Sequence, residues 1–162
     1  MKKVFGLFLV LVVCWFVGIS SSNENLVSAS SDPLIRQLYL TKNDCYKAGQ
    51  YITPKGVMVH STGANNPYLR RYLAPNDGLI GQNQYNNHWN QSGIQKCVHA
   101  FIGKLANGEV AIYQTLPWNM RGWHAGGAAN NTHISFEICE DGLNDANYFN
   151  QVYQKAVELT AY

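Results

Sequence analysis

Asn107-Gly108 sits between two apolar runs, residues 98–105 and 110–116, and this arrangement constrains the fold more than any other stretch. Asn-Gly readily adopts the positive φ values of a tight two-residue hairpin turn, so the flanking runs are predicted to be antiparallel neighbours in a sheet. In the second run Val110, Ile112 and Gln114 alternate onto one face. Two further strands are predicted. One is residues 57–59, punctuated by Gly56 and Gly63, and the other is residues 133–139. Helices are predicted from apolar spacing at three places. Asp32-Pro33 starts the first, with Leu34, Ile35, Leu38 and Tyr39 on one face. Asn66-Pro67 starts the second, with Tyr68, Leu69, Tyr72 and Leu73, and a turn at residues 75–78 ends it. The third covers residues 146–162 with a stripe of Phe149, Val152, Tyr153, Ala156 and Val157. Residues 46–54 read as a connector, residues 81–93 as a long Asn- and Gln-rich surface loop, and residues 118–127 as an aromatic, Gly-rich loop.

A chain of 162 residues predicts one domain with a real core. Its first residues read as an export signal. Lys2 and Lys3 precede an apolar run over residues 4–19, and Val27-Ser28-Ala29 resembles a cleavage site. The run is short for a membrane span, so residues 1–29 are expected to be a cleaved signal, with a membrane role only if the signal is retained. The protein is therefore expected outside the cytoplasm, secreted or in the cell envelope. Removing Lys2, Lys3 and Glu24 from the 12 basic and 10 acidic residues leaves 10 and 9. With no basic stripe, nucleic acid is excluded as a partner class. Ten Tyr and four Trp, many beside Asn and Gly, suit an uncharged or weakly charged hydroxyl-rich ligand. Past the signal, Cys45, Cys97 and Cys139 make an odd count, and spacing does not assign a pair.

Chemistry concentrates on a few residues. His60 ends a predicted buried strand where the chain breaks into a polar loop, a rigid position that still reaches a cleft. It is either a metal ligand or a histidine that only hydrogen-bonds the loop. The five histidines, at positions 60, 88, 99, 124 and 133, form no HExxH or HxH pattern, so a metal site would be assembled from separate segments. His124 is the second candidate, and His99 is equally readable as a core histidine. Glu137 stands inside an apolar strand, where burying a carboxylate is costly. It is either a general base beside an activated water or a buried acid satisfied by backbone amides or Arg121. A thiol–imidazole pair of Cys139 with His124 or His133 is a further, weaker option.

Five ordered blocks resemble the type 2 N-acetylmuramoyl-L-alanine amidases, whose fold is shared with phage-type amidase lysozymes and peptidoglycan recognition proteins. They are Gly56-Val57-Met58-Val59-His60-Ser61-Thr62-Gly63, Val98-His99-Ala100-Phe101-Ile102, Tyr113-Gln114-Thr115-Leu116-Pro117, Gly122-Trp123-His124-Ala125-Gly126 and Asn131-Thr132-His133-Ile134-Ser135-Phe136-Glu137-Ile138. The resemblance implies an α/β fold with a central mixed β-sheet flanked by helices and a zinc cleft at one edge. The blocks cover roughly residues 54–162, which the resemblance makes the N-terminal part of an amidase domain; before it the residues themselves predict the signal peptide or signal anchor (1–29) and an N-terminal helical extension (30–53). It implies hydrolysis of the amide between N-acetylmuramic acid and L-alanine in peptidoglycan, by a zinc-activated water. His60 matches the first zinc ligand and Glu137 the catalytic acidic residue. Trp123, His124, Asn131 and Thr132 match groove positions that meet substrate.

Two departures accompany it. Val98 stands where some members carry a Tyr that hydrogen-bonds the transition state. The family's second and third zinc ligands are expected beyond residue 162, since the chain stops inside an amphipathic helix without a breaker. With His60 alone from the triad, zinc binding and hydrolysis are expected to be weak or absent. The alternatives are a non-catalytic peptidoglycan-binding module, an inactive fragment, or an unusual zinc site of His60, His99 and His124.

Overall fold

The computed structural model describes residues 34–142 and 144–162. The proposed signal at residues 1–29 lies outside the described residues.

Among the described residues five strands form one sheet, β1 (Ile35–Gln37), β2 (Gly56–Ser61), β3 (Ala100–Lys104), β4 (Val110–Gln114) and β5 (His133–Ile138), in the spatial order β1-β4-β3-β5-β2. The sheet is mixed. β3 and β4 pair antiparallel across the Asn107-Gly108 turn, with Ala100 opposite Gln114 and Lys104 opposite Val110. The connection is not the predicted two-residue turn: of the pair only Gly108 has positive φ, 90°, and its N–H donates to the Leu105 carbonyl at 3.1 Å, closing a turn over residues 105–108 whose last, left-handed position a side chain would resist. The other pairings, β1 with β4, β3 with β5 and β5 with β2, are parallel.

Alternation along the strands splits the core. Phe101 and Tyr113 face one layer, where Leu69, Tyr72, Leu73, Ile80 and Trp89 cover them. Ala100, Ile102, Ile112 and Phe136 face the other, under the long helix α2 (Ala146–Ala161). Full burial of each such large side chain contributes about 1.5–3 kcal/mol. A short helix, α1 (Asp44–Ala48), is capped by Asn43, whose Oδ1 accepts the Cys45 N–H at 2.9 Å. The same buried Asn43 donates to the carbonyls of Trp89 and Lys96, pinning the long Asn-rich loop against α1.

Three local expectations are corrected. The helix predicted over residues 34–39 is strand β1, because Ile35, Arg36 and Gln37 find backbone partners along β4. The helix predicted after Asn66-Pro67 is a single 3-10 turn, Leu69–Arg71, whose neighbours Tyr72 and Leu73 turn directly into the core. In α2 the buried side is Tyr148, Val152 and Leu159, while Phe149, Tyr153 and Val157 are exposed. Asp145 caps this helix by accepting the Tyr148 N–H, and Lys104 pairs with it.

Among the described residues Cys45 and Cys97 form a disulfide, and Cys139 is a buried free thiol. Burial pushes that thiol's pKa well up, so at neutral pH it is protonated and a poor nucleophile. His124 Nδ1 meets His60 and His133 Nδ1 meets Thr132, and neither ring is hydrogen-bonded to Cys139, so the thiol–imidazole pair is not formed.

Candidate active site

His60 and Glu137 are directly paired across β2 and β5, near the carboxyl ends of two parallel strands. Crevices at that end of a parallel sheet are where α/β folds place ligands. On its other side Glu137 is registered with Phe101 of β3, so the carboxylate stands between an imidazole-bearing strand and an apolar one. Burial pushes its pKa up to about 7, against a smaller opposing pull from Lys96. Neither backbone amides nor Arg121 satisfy it. Its Oε2 is buried without a hydrogen-bond partner, and Arg121 Nε instead donates to Asn131 Oδ1 at 2.7 Å.

The Gly-rich loop delivers His124 to the same place. His60 Nε2 and His124 Nδ1 are 3.0 Å apart, a hydrogen bond in which one ring donates and the other accepts. Burial, reinforced by the neighbouring imidazoles of His60 and His99, pulls the His124 pKa down to about 4. Burial also lowers that of His60. Near neutral pH His124 is therefore uncharged. The loop can approach this closely because residue 122 is glycine: a Cβ there would lie 3.0 Å from His124 Cδ2 and 3.1 Å from His99 Cε1.

Asn130, not recognised in the sequence, holds the loop. Its buried Oδ1 accepts the backbone N–H groups of His124 at 3.0 Å and Ala125 at 2.9 Å. Asn131 and Thr132 flank it. Thr132 Oγ1 donates to the Ala128 carbonyl and lies 2.8 Å from His133 Nδ1. The loop is also laced to the disulfide. Cys97 and Trp123 exchange backbone hydrogen bonds at 3.1 and 3.2 Å, and Cys45 Sγ lies 3.5 Å from the Arg121 carbonyl oxygen.

Among the described residues, three buried side-chain polar atoms have no hydrogen-bond partner: Trp123 Nε1, His124 Nε2 and Glu137 Oε2. All three belong to residues singled out from the sequence. Buried polar groups left unpaired are rare and costly, and each of these atoms has hydrogen-bonding capacity that the fold leaves unused.

His99 stands apart from this set. It is fully buried, with Nε2 2.8 Å from the Met120 carbonyl oxygen and Nδ1 accepting the Ser135 N–H at 3.0 Å. With both nitrogens engaged it offers no lone pair, so the site of His60, His99 and His124 is not formed. A zinc hydrolase centre needs three protein donors and an open position. Among the described residues no group of three His, Cys, Asp or Glu could hold a metal ion. His60 and His124 supply two, already bonded to each other. These residues do not fit a zinc ion by themselves.

The fold is similar to the solved structure of PlyL, with a TM-score of 0.50, 19% sequence identity, and coverage of 80% of this chain and 70% of that one. No curated protein matches the sequence. The family model described as N-acetylmuramoyl-L-alanine amidase matches residues 50–162, which contain β2 to β5, α2 and every candidate site residue. The chain belongs to the N-acetylmuramoyl-L-alanine amidase family.

Proposed function

We propose that the protein hydrolyses the amide bond between N-acetylmuramic acid and L-alanine in peptidoglycan, acting outside the cytoplasm, with Glu137 as the proton-transfer residue. The observation that carries this reading is the Glu137 carboxyl. It is registered beside His60, has an unpartnered buried oxygen, and has a pKa raised to about 7. A group poised near the working pH can take a proton from the attacking water and return it to the departing amine. Neutral His124, whose buried Nε2 has no partner within the protein, is the group we assign to hydrogen-bond substrate. The Trp123 indole N–H is likewise buried without a partner, and Asn131 and Thr132 border the same loop. His60 is the zinc donor carried over from the resemblance. Two imidazoles fall short of the three protein ligands that zinc hydrolases use, so metal analysis of the purified chain decides that part. One tightly held zinc per chain supports zinc activation, and none after dialysis overturns it.

The test is digestion of purified peptidoglycan, with mass spectrometry of the products. Release of peptides beginning with L-alanine, reduced roughly 10²- to 10⁴-fold by Glu137→Gln, is expected. Cleavage at any other bond overturns the proposal. The incomplete donor set favours a second reading, a module that binds peptidoglycan without cutting it. Equal peptidoglycan binding by wild type and Glu137→Gln, with no release by either, would select that reading.

A further inference from the structure

A cleft is lined by residues of the 3-10 turn and of the Asn-rich loop, and by none of the candidate catalytic residues. It has a volume of about 490 Å³, inside the roughly 300–1,000 Å³ range of ligand pockets. Arg70 and Arg71 line it, together with Asn66, Asn83, Gln84 and Asn87, and its lining contains no Asp or Glu. Neither arginine is in an ion pair; the pairs among the described residues are Lys104–Asp145 and Lys155–Glu158. Both are half-buried and held in place. The Arg70 guanidinium stacks 3.8 Å from the Tyr68 ring centroid, and Arg71 donates to the Asn87 carbonyl. Asn83 ties the walls together, donating to the Arg70 carbonyl at 2.7 Å and to Asn87 Oδ1 at 3.1 Å. The segment between His60 and this cleft is also fixed. The Tyr72 hydroxyl lies 3.0 Å from Thr62 Oγ1 and 3.1 Å from the Ala64 carbonyl oxygen.

We propose that this cleft is an oxyanion-binding subsite that grips a carboxylate or phosphate group on a hydroxyl- and amide-rich cell-wall polymer. It would retain the protein on its substrate separately from the hydrolytic residues. Two pre-positioned guanidiniums with no internal counter-charge match an oxyanion through paired N–H donors. The surrounding Asn and Gln side chains supply neutral donors and acceptors for sugar hydroxyls and peptide amides. None of the residues lining this cleft is His60, Trp123, His124, Asn131, Thr132 or Glu137. The inference takes its polymer from the peptidoglycan reading, but its chemistry stands on the arginines.

The experiment measures co-sedimentation of the full chain with wall material in three forms: native, with carboxyl groups amidated, and with phosphate esters removed. Hydrolysis of a small soluble muropeptide is followed in parallel. Arg70→Gln/Arg71→Gln is expected to weaken binding to native material by roughly tenfold or more while leaving turnover of the soluble muropeptide intact. Gln84→Glu, at an exposed position, places a competing carboxylate at the cleft and is expected to weaken binding without any loss in melting temperature. Loss of wild-type binding on amidation assigns the anion as carboxylate, and loss on phosphate removal assigns it as phosphate; either supports the subsite. Unchanged binding in both arms, or by both variants, overturns it. Absent hydrolysis with arginine-dependent binding removes the proposed activity and leaves the subsite standing.

Discussion

Asn130→Ala tests how the site is assembled. Asn130 Oδ1 is the acceptor for two backbone donors, the N–H groups of His124 and Ala125, and the side chain is buried. Alanine removes the acceptor and leaves both donors unpaired in a partly enclosed loop. A buried donor without a partner costs about 1–3 kcal/mol. Because both bonds are only part-buried, the low end applies, giving roughly 2 kcal/mol for the pair. For a domain of this size that is a fall in melting temperature of roughly 6–8 °C. The loop carries the ring that meets His60 at 3.0 Å, so hydrolysis should fall by more than stability alone explains. The assay is thermal unfolding followed by circular dichroism, alongside muropeptide hydrolysis well below the melting transition. Asn130→Asp retains the acceptor and should recover most of both losses. If Asn130→Ala melts with wild type and cleaves equally well, the loop is held by something else and the reasoning fails.

Three other outcomes are expected. Hydrolysis should rise with pH through about 7 as Glu137 loses its proton and becomes able to act as base; a pH–rate profile without that limb would remove its role. Reducing Cys45–Cys97, which spans a separation of 52 residues, should cost about 4 kcal/mol on the chain-entropy argument, measured by denaturant unfolding with and without a dithiol. Tyr113→Phe removes the 2.6 Å hydrogen bond to Asp77 and should cost roughly 1 kcal/mol. Burial pushes the Asp77 carboxyl up, but the Tyr113 hydroxyl and the Ile80 and Leu79 N–H groups more than offset it, leaving its pKa below the usual value. Stability from this carboxylate is therefore present above the unfolded-state pKa and lost as pH falls through the lower folded one. Acid titration of stability in Tyr113→Phe should show a smaller loss over that range.

The sheet was largely legible because its signals are local. Gly108 marks a turn because it alone takes the left-handed position at no steric cost, and the runs that became β2, β3, β4 and β5 carry apolar and β-branched residues that burial rewards wherever they pair. Strand β1 was not, since Leu34, Ile35, Leu38 and Tyr39 satisfy helical spacing equally well. The choice depends on the open edge of β4, 77 residues on from Ile35. The exposed stripe Phe149, Tyr153 and Val157 misled for a related reason: two apolar faces compete on α2, and only the sheet beneath selects Tyr148, Val152 and Leu159.

The site divides the same way. By itself the sequence determined which residue types stand at strand ends and loops: His60, Glu137 and the Trp123-His124 block. These depend on covalent order and periodicity. Tertiary structure alone decided that His60 meets a ring 64 residues away and that Glu137 has a buried, unpartnered oxygen. It also decided that His99 has no free nitrogen and that Asn130 holds the loop. Hydrogen-bond partners and desolvation are properties of neighbours in space. A titrating carboxylate near 7 exists only once the chain has folded around it.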